Sequence, residues 1–230
     1  MTQDIGTRMK SYEQNRRVAD GAIIVRIDGK AFHTWTKEIN AERPFDMAVI
    51  SSMADATFQV SRQMQGFSLA YTQSDESTFL LTNLGEKEQS WFAGKLDKIV
   101  SVTASMFTYY FNYAYNYWCL SRGYPKVPAF FDARAHNIPI EDAANNFVWR
   151  QQDWMRNSVN MLAQAHFSHK ELQGKSTLDV KQMLLDIDVN WDDLSEWNKY
   201  GTFFTKDIEL PQSIKADYNK INELAGISVT

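Results

Sequence analysis

Ala22-Ile23-Ile24-Val25-Arg26-Ile27 is an apolar, largely β-branched run that predicts a strand buried on both faces. Residues 67–72 and 77–82 are also apolar strands. The polar Gln73-Ser74-Asp75-Glu76 between them is turn chemistry, so the two predict a hairpin. Between the first strand and the hairpin, Pro44 suits the first turn of a helix. Met47, Ile50, Ala54 and Phe58 follow at three- and four-residue spacing, a stripe expected to face a sheet. A long helical region over 91–118 and a strand over 127–134 complete this half of the chain.

Strand, helix, strand, strand, helix, strand is the order of the split βαβ arrangement, and it predicts an α+β fold. The expected architecture is a ferredoxin-like sheet of the polymerase-palm kind, packed with helices and followed by a mainly helical C-terminal region. Polymerase palms and nucleotide cyclases share that layout, with metal-binding acids at the end of the first strand and in the central hairpin. Beyond residue 137 the pattern is helical, with one segment from Glu141 to Leu162. Ser168 with Glu171, and Ser176 with Asp179, read as capping boxes, and 214–224 as a last amphipathic helix. This divides the chain into a palm-like catalytic region, 1–136, and a helical region, 137–230, with a soft boundary that leaves one compact unit open.

Composition narrows the function classes. At 230 residues with 44% hydrophobic and 23% charged side chains, the chain is an ordinary globular sequence. A formal charge of −4 argues against a generally basic nucleic-acid coat, although a local basic groove remains compatible with it. Cys119 is the single cysteine, so neither an intramolecular disulfide nor a thiolate metal cage can form, and its aromatic surroundings read as core. The first residues lack the basic and apolar regions of a signal peptide, and no apolar run approaches the ~18 residues of a spanning helix. A cytoplasmic protein without membrane association is expected.

The candidate chemistry lies at two strand ends. Asp28 closes the first strand and Asp75 sits in the hairpin turn, so one sheet brings both to the same edge. A single acid there is commonly a turn former. Two on adjacent strand ends, with no cysteine or histidine cluster, suit Mg²⁺ and a nucleoside triphosphate. Gly29 lets the backbone approach a ligand and offers its carbonyl as a third oxygen. The amides from Lys30 through Ala31 and Phe32 to His33 are placed to cradle a triphosphate.

Other motifs take the ordinary reading. Gly174-Lys175-Ser176 resembles the end of a P-loop, but His169 stands where the motif needs glycine, and the capping role of Ser176 explains the triplet. His166 and His169 flank a cap and lack a third ligand nearby. The run from Phe107 to Trp118 is strongly aromatic, which on a helix means core or subunit interface, with base stacking secondary.

Five segments, in order, carry a family resemblance: Val25 to His33, Arg43-Pro44-Phe45-Asp46, Tyr71 to Glu76, Phe131-Asp132-Ala133-Arg134, and Trp149 to Asp153 followed by Arg156-Asn157-Ser158. On these the chain resembles the tRNA-histidine guanylyltransferase superfamily, the 3′→5′ polymerases, and in particular its bacterial and archaeal guanylyltransferase-like branch. The resemblance implies two Mg²⁺ ions on Asp28, Asp75 and the Gly29 carbonyl. It implies nucleotide contacts from Asp28 to His33, from Ser74 and Asp75, and from Arg43 and Lys98 to the triphosphate. Glu76, Asp153, Arg156 and Asn157 match the region of the reacting RNA 5′ end, with Glu76 counted beside Asp28 and Asp75 as catalytic. The implied reaction activates a tRNA 5′-monophosphate by adenylylation from ATP or GTP. The 3′-hydroxyl of a nucleoside triphosphate then attacks the activated end. A homo-oligomer, tetrameric by resemblance, is expected. Where eukaryotic members carry a His-Ile-Asn-Asn segment, this chain has Met155-Arg156-Asn157-Ser158, which favours 5′-end repair over G addition to histidine tRNA.

Two competing readings make different demands. A nucleotide cyclase or oligonucleotide synthase would share the palm and its acids but form product from nucleotide alone. A non-catalytic RNA-binding relative would bind RNA indifferently to Mg²⁺ or to loss of either acid.

Overall fold

A computed structural model describes residues 4–13, 21–82, 90–206 and 211–228. In chain order the elements are α1 (Ile5–Glu13), β1 (Ala22–Gly29), α2 (Phe32–Glu38), α3 (Met47–Ser61), β2 (Phe67–Gln73) and β3 (Glu76–Thr82). Then come α4 (Leu96–Arg122), β4 (Phe131–Asn137), α5 (Ile140–Gln164), α6 (His169–Leu172), α7 (Thr177–Leu185), α8 (Glu196–Tyr200), β5 (Thr202–Thr205) and α9 (Tyr218–Ala225). The strands form one antiparallel sheet in the order β4-β1-β3-β2-β5. The first four are the expected ferredoxin-like sheet.

Alternation along the strands builds two cores. Ile23, Val25 and Ile27 pack with Phe79, Leu81 and Ala70 under α3 and α4. Ile24, Leu69, Tyr71 and Leu80 pack on the opposite face with Phe147 of α5 and Ile221 of α9. A third cluster, with Val159, Leu162, Val180, Leu184 and Trp191, ties the end of α5 to α7.

Several expectations shift. Helix α3 begins at Met47, not Pro44, because Asp46 caps it, its carboxylate accepting the Ala48 and Val49 N–H groups at 2.8 and 3.1 Å. Its buried face is Val49, Met53, Ala56 and Val60 with Ser52 and Thr57, while Met47 and Phe58 are exposed. Hydroxyls mask that face in the sequence: Thr57 and Ser77 hydrogen-bond at 2.7 Å, so a polar pair stands where helix meets sheet. Strand β4 starts at Phe131 rather than 127. Pro128 has no N–H for a ladder, and Asn112 instead holds Ala129 by its N–H and C=O, at 2.9 and 2.8 Å. The last helix starts at Tyr218, because Asp217 caps it by accepting the Lys220 N–H, while the Gln151 amide takes the Ile214 carbonyl and the Ala216 N–H.

The pattern did not predict β5. It pairs with β2 from Leu69–Thr205 to Thr72–Thr202, so the C-terminal region supplies an edge of the sheet. A division at 136 falls within β4, and α5 and α9 cover one face of the sheet.

Candidate active site

The two aspartates meet where β1 ends against the β2–β3 turn. Gln73 pairs with Glu76, leaving Ser74 and Asp75 as a two-residue hairpin loop. Ser74 has φ 49°, a left-handed value for which tight hairpins ordinarily use glycine or asparagine. The Gly29 N–H donates to the Asp75 carbonyl at 3.0 Å and docks β1 onto the turn. A Cβ at Gly29 would lie 2.4 Å from Phe32 Cδ2 and 3.0 Å from Asp75 Cβ, so glycine is what lets the two acid-bearing segments touch.

Burial pushes the Asp75 carboxyl up to about 6. The Ser74 hydroxyl, donating to Oδ1 at 3.0 Å, opposes the shift, and the negative charge of Asp28 adds to it. Asp28 is half-exposed, with Arg134 Nη2 3.6 Å from its Oδ2. Asp28 and Asp75, near enough for the charge of one to act on the other, are with the Gly29 carbonyl the hard oxygen donors that magnesium takes.

The resemblance groups Glu76 with these acids, but its carboxylate is committed elsewhere. Glu76 is the cross-strand partner of Asp28, and Arg150 of α5 binds both its oxygens, Nε to Oε1 at 2.6 Å and Nη2 to Oε2 at 2.7 Å. Arg150 also meets Asp153 at 3.2 Å, and Asp153 meets Arg156 at 2.9 Å. The ion pairs thus run from the hairpin along α5 through two of the three residues assigned to the RNA end. Asn157 is exposed on the next position.

A cleft of about 860 Å³ opens beside Asp75. Ser74, His33 and Arg43 line it with Phe45, Met53, Trp154 and Trp197, an apolar wall next to a charged rim. Phe45 and Trp154 meet edge to face at 6.3 Å. The phosphate cradle is narrower than expected. The Lys30 N–H is taken by the Phe130 carbonyl at 2.8 Å, and the Phe32 ring is buried against Trp35, Phe111 and Phe131. The amides of Ala31, Phe32 and His33 precede the first donors of α2, which are Thr34 and Trp35 bonding to the Ala31 carbonyl. Ala31, with φ 50°, turns the chain there.

Lys98 is not brought to this place. It stands in the first turns of α4, over the Phe92 ring at 6.0 Å. The α4 residues that reach α2 are Phe111 and Tyr115, and Phe111 lies about 20 Å further along the helix axis. Arg150 and Arg134 both lie inside the segments that carry the resemblance, but nothing in their sequence context names a partner. Only pairing across the sheet and onto α5 reveals their partners.

Among the described residues no helix is long and apolar enough to cross a membrane. The profile of the family described as tRNAHis guanylyltransferase matches residues 6–139. The chain is 29% identical over 221 residues to the tRNA(His) guanylyltransferase of Debaryomyces hansenii, covering 87% of this chain and 80% of that one. Among solved structures, a bacterial tRNA(His) guanylyltransferase-like protein in complex with ATP superposes with a TM-score of 0.78 at 40% identity, covering 89% of each chain. One in complex with GTP superposes with a TM-score of 0.69 at 37% identity, covering 90% of this chain and 87% of the other.

Proposed function

Because the chain belongs to the tRNAHis guanylyltransferase family, we propose that it adds nucleotides to the 5′ end of tRNA in the 3′→5′ direction, after activating that end with ATP. The observation that supports this reading is the docking of Gly29 on the Asp75 carbonyl, which brings the end of β1, with Asp28, against the turn whose Asp75 lines a nucleotide-sized cleft.

In the first step the tRNA 5′-phosphate attacks the α-phosphorus of ATP and expels pyrophosphate. In the second, the 3′-hydroxyl of a nucleoside triphosphate attacks the activated 5′-phosphorus, forms the new phosphodiester and expels AMP. Asp28, Asp75 and the Gly29 carbonyl would hold magnesium, which when bound polarises phosphoryl oxygens and lowers the pKa of the attacking hydroxyl. Ser74, Arg43 and the amides of Ala31 to His33 bind the triphosphate. Phe45 and Trp154 bound the apolar part of the cleft. Glu76 acts as a positioning residue: it fixes Arg150, which in turn orients Asp153 and Arg156 toward the RNA end. Between the two uses of this chemistry we assign repair of 5′-truncated tRNA. The work of the enzyme lies in the cytoplasm, and it acts as a homo-oligomer through the aromatic face of α4.

The test is incubation with 5′-monophosphorylated tRNA, full-length or lacking 5′ nucleotides, together with ATP, Mg²⁺ and each nucleoside triphosphate. Extension confined to the truncated RNA supports repair, while a single G on full-length histidine tRNA replaces repair with guanylyl addition. Product from nucleotide alone, without RNA, or absence of any 5′ extension, overturns the proposal.

A further inference from the structure

The acid pair has two flanks. On one, the Ser74–Asp75 turn opens into the cleft. On the other runs β4, an edge strand whose register fixes which side chains share a face with Asp28. Asp28 is opposite Asp132, Arg26 opposite Arg134, and Gly29 opposite Phe131. The pairing continues one step further through the Lys30 N–H on the Phe130 carbonyl.

Side chains alternate along such a segment. Ala129 and Phe131 turn inward, the Phe131 ring packing on Phe107 and Phe111 at 4.9 Å each. Phe130, Asp132 and Arg134 turn outward, onto the face of Asp28, as the approach of Arg134 to both Asp28 and Asp132 confirms. Phe130 is 55% exposed, and among the described residues no ring stacks against it. A lone exposed phenylalanine says little. This one stands on the open flank of the acids, two strand positions (about 7 Å along the chain) from Asp132 and two further from Arg134, whose guanidinium reaches back to Asp28 and Asp132. A flat apolar group joined to a phosphate fits that arrangement.

Resting on the functional reading above, we infer that Phe130 is the platform on which the 5′-terminal base of the RNA stacks, with Arg134 facing the adjoining phosphate. The RNA end then approaches along β4 while the nucleoside triphosphate occupies the cleft across the acid pair.

The experiment compares Phe130→Ala, Phe130→Leu and Phe130→Trp with wild type. It measures tRNA affinity by fluorescence anisotropy, and KM separately for tRNA and for the added nucleotide. Alanine and leucine should weaken tRNA binding and raise its KM by about 5- to 100-fold, with the nucleotide KM within about twofold and tryptophan close to wild type. An RNA whose 5′-terminal nucleotide is abasic should lose the same factor with wild type and nothing further with Phe130→Ala. Unchanged tRNA affinity in Phe130→Ala, an equal rise in nucleotide KM, full function with leucine, or additive losses with the abasic RNA would each overturn the assignment. Wild type that extends no tRNA sinks the functional reading, while the abasic binding cycle still decides Phe130.

Discussion

Glu76 and Arg150 form a two-point ion pair between β3 and α5, both side chains 11% exposed. Two parallel N–H···O bonds fix the plane of the guanidinium as well as its distance, a constraint that a lysine ammonium would not impose. Removing one partner strands the other charge in a nearly dry setting. Arg150→Met is therefore expected to cost about 3 kcal/mol, read from urea unfolding, and the double variant Glu76→Gln/Arg150→Met should regain most of it. Arg150→Lys should fold yet lower the rate of addition more than its nucleotide affinity. Equal stability of the single and double variants would remove the clamp.

Asp75 sets catalysis against stability. Its carboxyl is pushed up from 3.8 to about 6 mainly by burial, so the fold prefers the protonated form. That preference is fully present below about pH 3.8 and is lost as pH rises through about 6. At neutral pH the ionised group thus forfeits about 3 kcal/mol in metal-free protein. Asp75→Asn should be more stable than wild type at pH 7.5 in chelator, with the advantage shrinking toward pH 4, and should be inactive. Thermal melts across pH check the first part and a 5′-extension assay the second. Asp28→Asn should be equally inactive.

Gly29→Ala tests the backbone contact beneath both acids. The added methyl would meet the Phe32 ring at 2.4 Å and Asp75 Cβ at 3.0 Å, and Phe32 is wedged among other rings. The expected result is a loss of about 1–3 kcal/mol together with activity reduced at least tenfold, since the turn must move away from β1. Wild-type activity in this variant would mean that the separation of the acids is not critical.

The outer face of α4 carries Tyr109, Tyr113 and Tyr117 at 61%, 69% and 66% exposure and Leu120 at 74%, a stripe at four- and three-residue spacing. If this face joins copies of the chain, Tyr113→Glu with Tyr117→Glu should lower the mass seen by sedimentation velocity without lowering the melting temperature. A wild-type monomer, or an unchanged mass in the variant, would exclude it.

The pairing of the two acids was legible because strand ends and turn polarity are local properties: β1, the hairpin and Asp28 with Asp75 all follow from a few adjacent residues. The buried face of α3 was not, since Ser52 and Thr57 look like surface residues until Ser77 is placed opposite Thr57. Strand β5, four residues long, carries too little pattern to announce itself and is defined by its partner β2. The separate status of Glu76 was hidden for a similar reason. The resemblance grouped it with Asp75, but alternation turns Glu76 toward α5, where Arg150 binds it.

Pairing of β2 with β5 carries a cost during synthesis. The hairpin that bears Asp75 is made early, yet its outer ladder from Leu69 to Thr72 stays open until Thr202–Thr205 have left the ribosome. Through most of translation an apolar strand therefore presents bare N–H and C=O groups, a template for adhesion between nascent chains. Expression yield should for that reason respond to chaperone supply more sharply than the stability of the finished protein would suggest.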